Sequence, residues 1–67
     1  MKLKSRLKVI LAERDMNQIT LISLMSDPVA LSTMSKIVNG TIPKLETAYD
    51  IAIALSLRIE DIWCVDN

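Results

Sequence analysis

Residues 18–40 constrain the fold more than any other stretch, because a turn signal separates two segments whose apolar residues recur at helical spacing. In the first segment these residues are Leu21, Ile22 and Met25. Asn17 precedes this segment and is of a residue type that caps helix N-termini. The pattern predicts two successive short helices, at about residues 18–26 and 28–39.

The connection between these helices, Ser26-Asp27-Pro28, contains a start signal for the second one. The Asp27 side chain can accept a hydrogen bond from free backbone amides of the next turn, and proline suits a first helical position. At the other end, Asn39-Gly40 is predicted to close the second helix, because glycine tolerates the left-handed conformation that follows many helices.

The second helix is predicted to have one buried and one exposed face. Its predicted core residues are Val29 or Ala30, then Met34, Ile37 and Val38. Its outer face carries Leu31, Ser32, Thr33, Ser35 and Lys36. Small, polar and basic side chains without catalytic chemistry are typical of a helix that lies in the major groove of DNA, which is about 12 Å wide.

Length and composition restrict the remaining classes of protein. The 67 residues allow one domain, expected to span residues 1–67, and the hydrophobic content of 51% suits a small, densely packed core. The single Cys64 excludes an internal disulfide framework, and the absence of His excludes a zinc-finger ligand set, so no metal or other cofactor is expected. A single cysteine, with no possible internal disulfide, favours the cytoplasm. No apolar run approaches the roughly 20 residues that span a bilayer, so no membrane partner is expected. No signal peptide is expected either.

Three further helices are predicted, at residues 2–14, from 44 or 45 to 56, and at 59–64. Their expected core residues are Leu3, Leu7, Ile10, Leu11, Leu45, Ala48, Ile51, Ala52, Leu55, Ile59, Ile62 and Trp63. Pro43 biases Ile42 away from helix, so a loop is expected before the fourth helix. Because no segment shows a strand period of useful length, the predicted fold is an all-α, compact five-helix bundle.

The formal net charge is zero, but the charges are unevenly distributed. Residues 1–44 carry a net charge of +4 and residues 45–67 a net charge of −4. Such an asymmetry points to contact between the basic half and a polyanion, but small domains also show such an imbalance by chance. The two halves need not form separate faces once folded.

Five short motifs stand in order along nearly the whole chain. Gln18 opens the second helix, and residues 33–40 read TMSKIVNG. Pro43 is followed by Leu45-Glu46-Thr47, by IAIAL at residues 51–55 and by Glu60-Asp61-Ile62-Trp63. Together these motifs resemble the phage repressor/Cro-type helix-turn-helix family, which has a similar Thr-Ile-Ser-Arg-Ile-x-x-Gly string and a closing Asp-Glu-Leu-Phe element. The resemblance implies a lambda-repressor-like DNA-binding fold in which helices 2 and 3 form the helix-turn-helix.

Two features depart from the family pattern. The turn between helices 2 and 3 is expected to be two residues longer than the usual Gly-Val-Ser version, with Asp27-Pro28 as the insertion. Ile22 stands where the family usually has a small Ala. A longer turn and a bulkier side chain can compensate for each other by holding the two helices slightly further apart.

The resemblance places the base-reading residues on the outer face of helix 3. Lys36 can reach guanine acceptors or a phosphate, and Leu31 suits a thymine methyl group or else covers the long turn. The hydroxyls of Ser32, Thr33 and Ser35 can hydrogen-bond to DNA, or they are ordinary polar residues of a helix surface. Gln18 and Asn39 match family positions that hold phosphate. Helix polarity and C-capping are their alternative structural roles, and both kinds of role can hold together. Lys44, at the start of helix 4, can hold a further phosphate.

The expected protein is a dimeric, sequence-specific regulator of transcription that binds double-stranded DNA, most simply a small Cro-like repressor. One 7.5 kDa module reads few base pairs, so a homodimer through helix 5 and the tail is expected on a two-fold operator. No enzymatic activity is expected, since Cys64 has no His to activate it and the adjacent carboxylates lie at solvated helix ends (Glu13, Asp15, Glu60 and Asp61). No small-molecule ligand is expected, since a single domain leaves no separate ligand-sensing module.

A protein-binding module is the alternative, such as the antitoxin half of a toxin–antitoxin pair. Ile19, Leu24 and Ile53 fall at positions where the family pattern tends to be polar, and Val65 trails the last helix. Exposed apolar residues of this kind favour a protein partner, whereas Lys36 and Lys44 favour DNA.

Overall fold

The computed structural model describes residues 1–66, in which five helices and two short strands enclose one core. In chain order these elements are β1 (Leu3–Ser5), α1 (Leu7–Glu13), α2 (Gln18–Leu24), α3 (Leu31–Val38), α4 (Leu45–Ala54), α5 (Ile59–Ile62) and β2 (Trp63–Val65). The five predicted helices are present, and the prediction of an all-α fold is corrected by a two-stranded antiparallel sheet. Within residues 1–66, no helix has the length and apolarity to cross a bilayer.

The sheet replaces the predicted ends of the first and last helices. Residues 2–6 lie outside α1, which begins at Leu7, and residues 63–64 belong to β2 rather than to α5. Leu3 pairs with Val65 across the sheet. At the other end of the sheet, beyond the Ser5–Trp63 pair, the Arg6 amide donates a hydrogen bond to Ile62 O at 2.7 Å. Pairing between the two ends of the chain satisfies backbone groups that a longer first helix would have bonded within itself.

α2 begins as predicted, and α3 begins later than predicted. Asn17 caps α2, because its Oδ1 accepts a hydrogen bond from Thr20 N at 2.8 Å. The N-cap of α3 is Ala30, in an extended conformation (φ −65°, ψ 152°) and without a side-chain cap. The prediction that Asp27 caps this helix and Pro28 occupies its first position is therefore wrong. Residues 25–30 instead form the connection between the helices.

α1, α3 and α4 each end with a residue in the left-handed conformation directly after the C-cap. These residues are Asp15 (φ 52°), Gly40 (φ 118°) and Ser56 (φ 57°). The Gly40 amide donates to Ile37 O at 3.2 Å, and the Thr41 amide donates to Lys36 O at 2.9 Å. The prediction that Asn39-Gly40 closes the helix is confirmed.

The core agrees largely with the predicted apolar set. The buried residues are Leu7, Ile10, Leu11, Leu21, Met25, Met34, Ile37, Val38, Ala48, Ile51, Ala52, Leu55, Ile62 and Trp63. Ile22, Val29 and Ile59 are partly buried against them. Two predictions of burial are wrong: Leu3 lies in β1 near the end of the sheet, and Leu45, as the first residue of α4, is 65% exposed.

Candidate nucleic-acid interface

The side of α3 that faces away from the core is small, polar and basic. Met34, Ile37 and Val38 are buried, and helical geometry places Ser32 and Lys36 on the opposite side, one turn apart. Both are exposed, as are Leu31 and Thr33 at the flanks of this surface. Lys36 forms no ion pair with any carboxylate of residues 1–66. These four residues form the α3 outer face, whose hydrogen-bonding groups are available to a partner.

Ser35 does not belong to the exposed face on which the sequence places it. It is half-buried where α3 packs against α2, and its hydroxyl donates a hydrogen bond to Gln18 Oε1 at 2.8 Å. This bond joins two predicted DNA contacts to each other. Ser35 Oγ still has lone pairs with which to accept a hydrogen bond, and the Gln18 amide still has its two N–H donors.

Asn39 performs the structural role that the sequence allowed for. It is the C-cap residue of α3, and its Nδ2 donates to Ser35 O at 2.9 Å. The side chain therefore satisfies one of the last carbonyl groups of the helix. Since an Asn side-chain amide has two N–H donors, the second one remains for a contact outside the helix.

Lys44 lies at the N-cap of α4, in an extended conformation and exposed. It lines an open cleft of about 430 Å³ together with three acidic residues. These are Asp27, Glu46 and Asp50. A phosphate at Lys44 would therefore also meet negative charge, which makes Lys44 a weaker anion contact than its sequence position indicates.

Within residues 1–66, no group of three or more His, Cys, Asp or Glu side chains is arranged to hold a metal ion.

Asp50 is a site residue that the sequence analysis missed. Its Oδ1 accepts a hydrogen bond from Ser26 N at 2.9 Å and its Oδ2 accepts one from Asp27 N at 2.8 Å. The carboxylate on α4 thus holds two successive amides of the connection between α2 and α3. Asp27 lies within this connection, and the residue at the N-cap of α3 is Ala30. A carboxylate on a helix gives no local sequence signal for backbone partners more than twenty residues away.

The basic residues of the first half are spread over several elements. Lys4 lies in β1 and Lys8 in α1, whereas the Arg14 guanidinium donates to Leu55 O at the C-terminus of α4, at 2.7 Å. Lys36 and Lys44 are the two basic residues on or directly next to α3 and α4. The positive charge of the sequence therefore converges only in part on the α3 outer face.

Two surfaces outside α3 expose apolar side chains. The first is an open groove of about 280 Å³, here named the Trp63 groove. It is lined by Leu3, Ile42, Pro43, Leu45, Ala48, Ile59 and Trp63. The second set lies on α2 and α4, where Ile19 is 65%, Leu24 50% and Ile53 72% exposed. Both surfaces are candidates for protein contacts.

In the described part of the chain, α2 and α3 pack against each other, and the side of α3 that faces away from the core is polar and exposed. The family model for the Cro/C1-type HTH DNA-binding domain matches residues 6–64. The chain therefore belongs to this family, and the predicted resemblance is confirmed. No curated protein and no solved structure matches the chain significantly.

Proposed function

We propose that this protein is a sequence-specific transcriptional regulator, in the manner of a small Cro-like repressor, in which α2 and α3 form the helix-turn-helix. The observation that carries the proposal is the α3 outer face. A helix anchored by buried Met34 and Ile37 exposes Ser32 and Lys36 on its opposite side, and Lys36 pairs with no carboxylate of residues 1–66. A major groove accepts one such helix and presents acceptors and donors at the base edges. The family membership supports duplex DNA as the partner and the cytoplasm as the compartment.

The proposed contacts divide into base reading and phosphate binding. On the α3 outer face, Lys36 and the hydroxyls of Ser32 and Thr33 meet base edges, and Leu31 meets a thymine methyl group. Ser35 contacts bases only as a hydrogen-bond acceptor, because its hydroxyl hydrogen is already donated in the bond to Gln18. It therefore suits the amino group of adenine or cytosine.

The proposed phosphate contacts flank α3. They are the amide donors of Gln18 and Asn39 and the ammonium group of Lys44. The cleft around Lys44 is acidic, so we expect it to contribute less than Lys36.

We further propose that the protein acts as a homodimer on a two-fold operator, through the Trp63 groove. Leu45 and Ile42 are 65% and 43% exposed at this groove, beside Trp63 at the end of α5. Burying these side chains against a second copy removes apolar surface from water and doubles the number of base pairs that are read. The half-sites should then lie about one helical turn apart, roughly 34–36 Å.

The experiment for DNA binding starts with an operator selected by the parent protein from a pool of random duplexes. Lys36→Ala and Ser32→Ala should leave the melting temperature nearly unchanged, because exposed positions shift stability by only about ±0.5 kcal/mol. Each should weaken operator binding by about 1–3 kcal/mol for a lost base contact. Lys8→Ala, at an exposed lysine on α1, is the matched control.

The pattern across sequences separates two roles of Lys36. A lost base contact relaxes the preference at one base pair, whereas a lost phosphate contact weakens all duplexes alike and lowers the salt slope by about 0.9 per contact. Binding of Lys36→Ala as tight as that of the parent at physiological salt, or no selected sequence at all, would refute the proposal.

The dimer is tested by sedimentation of matched surface variants. Leu45 and Ile19 are equally exposed, so Leu45→Ser and Ile19→Ser remove similar apolar surface, but only Leu45 lines the Trp63 groove. Leu45→Ser should weaken self-association at least tenfold, which corresponds to about 1.4 kcal/mol. A parent protein that is monomeric both free and on its operator, or an effect of Ile19→Ser alone, contradicts this interface.

A second candidate function, binding of another protein in the manner of an antitoxin, is favoured by the exposure of Ile19, Leu24 and Ile53. In that case Ile53→Ser, rather than Lys36→Ala, should abolish binding of the partner protein. An adjacent toxin gene whose product co-purifies with the protein would support this second function, and DNA binding that depends on Lys36 would remain a separate result.

A further inference from the structure

We infer that Asp50 is a positioning residue for α3, because its carboxylate fixes the connection from α2 and thereby sets how α3 is presented to DNA. The inference deepens the proposed DNA-binding function and rests on it. Asp50 is not assigned to any contact with DNA; its role is exerted through the backbone of Ser26 and Asp27.

The geometry is that of a carboxylate which uses both oxygens. The distances are 2.9 Å from Ser26 N to Oδ1 and 2.8 Å from Asp27 N to Oδ2. An ionised carboxylate only accepts hydrogen bonds, and bonds to a charged acceptor are stronger than those between neutral groups. Two successive amides held by one rigid group fix both the position and the direction of the backbone.

Asp50 can act in this way because α4 is itself firmly packed. The next two residues, Ile51 and Ala52, are 0% and 2% exposed. A half-buried Asp50 on this helix therefore links the connection to the centre of the core.

The connection has few other means of support. It spans residues 25–30, whereas three or four residues are typical of the turn in a helix-turn-helix. After buried Met25, only Val29 is partly buried; Pro28 has no amide hydrogen, and Ala30 provides no side-chain cap for α3. Local hydrogen bonding and apolar burial are thus too weak to define the path of this longer turn.

Asp50 and the Gln18–Ser35 bond hold α3 from two directions. One acts on the chain that enters the helix, and the other acts directly between α2 and α3. Without Asp50 both helices keep their buried residues, but the N-terminal part of α3, with Leu31 and Ser32, becomes less well fixed. Loss of preorganisation at base-reading side chains reduces discrimination between sequences more than general affinity for DNA.

The test compares Asp50→Ala and Asp50→Asn with two controls in the full chain. Glu46→Ala removes the same charge from α4 at an exposed residue that accepts no hydrogen bond from the described backbone amides. Asp61→Ala removes a carboxylate at the start of α5 that accepts a hydrogen bond from the Arg58 amide, with 3.0 Å between Arg58 N and Asp61 Oδ2. The first readout is amide hydrogen exchange of Ser26 and Asp27 in the free protein. The second is the ratio of affinities for the selected operator and for random duplex, at one fixed salt concentration.

Asp50→Ala should accelerate exchange at both amides by about tenfold or more relative to the two controls, as expected for a lost bond to a charged group. The affinity ratio should fall by about tenfold, while random duplex is bound as well as or better than by the parent. Asp50→Asn should lie between the parent and Asp50→Ala, since its amide retains one acceptor oxygen.

Each other outcome overturns a defined part of the inference. Unchanged exchange in Asp50→Ala shows that the carboxylate does not hold the turn. Faster exchange with an unchanged affinity ratio shows that the turn does not position α3, and leaves the proposed DNA binding intact. If the parent discriminates no DNA sequence, the proposed function fails and the positioning role for DNA fails with it, whatever the exchange rates show about the turn.

Discussion

The hydrogen bond between Ser35 and Gln18 allows the α2–α3 contact to be measured as a free energy. We expect Ser35→Ala, Gln18→Ala and the double variant to form a cycle with a coupling of about 1 kcal/mol. A hydrogen bond between neutral groups contributes about 0.5–1.5 kcal/mol, and this one is 2.8 Å long and half-buried. In a domain of this size, 1 kcal/mol shifts the melting temperature by about 4–8 °C.

The single variants alone would give a misleading value. Ala favours a helix interior more than Ser does, so Ser35→Ala gains helix propensity while it loses the hydrogen bond. Gln18→Ala removes side-chain surface as well as the acceptor. Both side effects cancel in the cycle, provided that they are the same with and without the partner residue.

Thermal and urea unfolding followed by circular dichroism give the four free energies that the cycle needs. Thr20→Ala and Ser32→Ala, on the same two helices, form a control cycle for a pair of residues that are not bonded to each other. Its effects should be additive within about 0.3–0.5 kcal/mol. If the effects of Gln18→Ala and Ser35→Ala on the free energy of unfolding are additive within the same limit, this bond does not hold the two helices together.

Three further predictions concern helix ends and are checked by the same unfolding measurements. Gly40→Ala should destabilise the protein by about 1–2 kcal/mol, because φ is 118° there and no neighbouring atom lies within 4 Å of the added Cβ, so the cost is backbone strain alone. Ser56→Gly should stabilise it by about 1 kcal/mol, since Ser56 has φ 57° after α4; an equal loss instead would show that the Ser56 side chain contributes a contact. Ala30→Ser should add about 1 kcal/mol by capping α3, and no gain would indicate that another group already satisfies its first amides.

The sequence predicted those parts of the fold that depend on local patterns. Apolar residues recur at helical spacing along α2 and α3, and this spacing identified the buried faces, on which Leu21 lies in α2 and Met34 and Ile37 lie in α3. Asn17 and Gly40 are recognisable as helix ends because their conformational preferences act on adjacent residues. The Cro/C1-type family was recognisable because five short motifs that resemble its own stand in register along the chain.

Contacts between distant residues were not predictable in this way. The alternation of Lys4 with Leu3 and Ser5 fits a strand, but it also fits the polar side of a helix, and only the pairing with residues 63–65 decides between them. The turn chemistry of Asp27-Pro28 suggested a helix start. In the structure this stretch belongs to the connection instead: the Asp27 amide donates a hydrogen bond to Asp50 Oδ2, and α3 begins at Leu31.

The sheet that joins the two ends of the chain also determines when this domain can finish folding. β1 leaves the ribosome first, yet it must wait for residues 63–65 before it can pair. Contacts between neighbouring helices, such as those of α2 with α3, span much shorter loops and can form during this interval. Until Ile62 and Trp63 arrive, the core residues that they cover remain open to water and to chaperones. We therefore expect a chain truncated before residue 62 to be helical but sensitive to protease, whereas the chain that includes residues 62–65 is resistant.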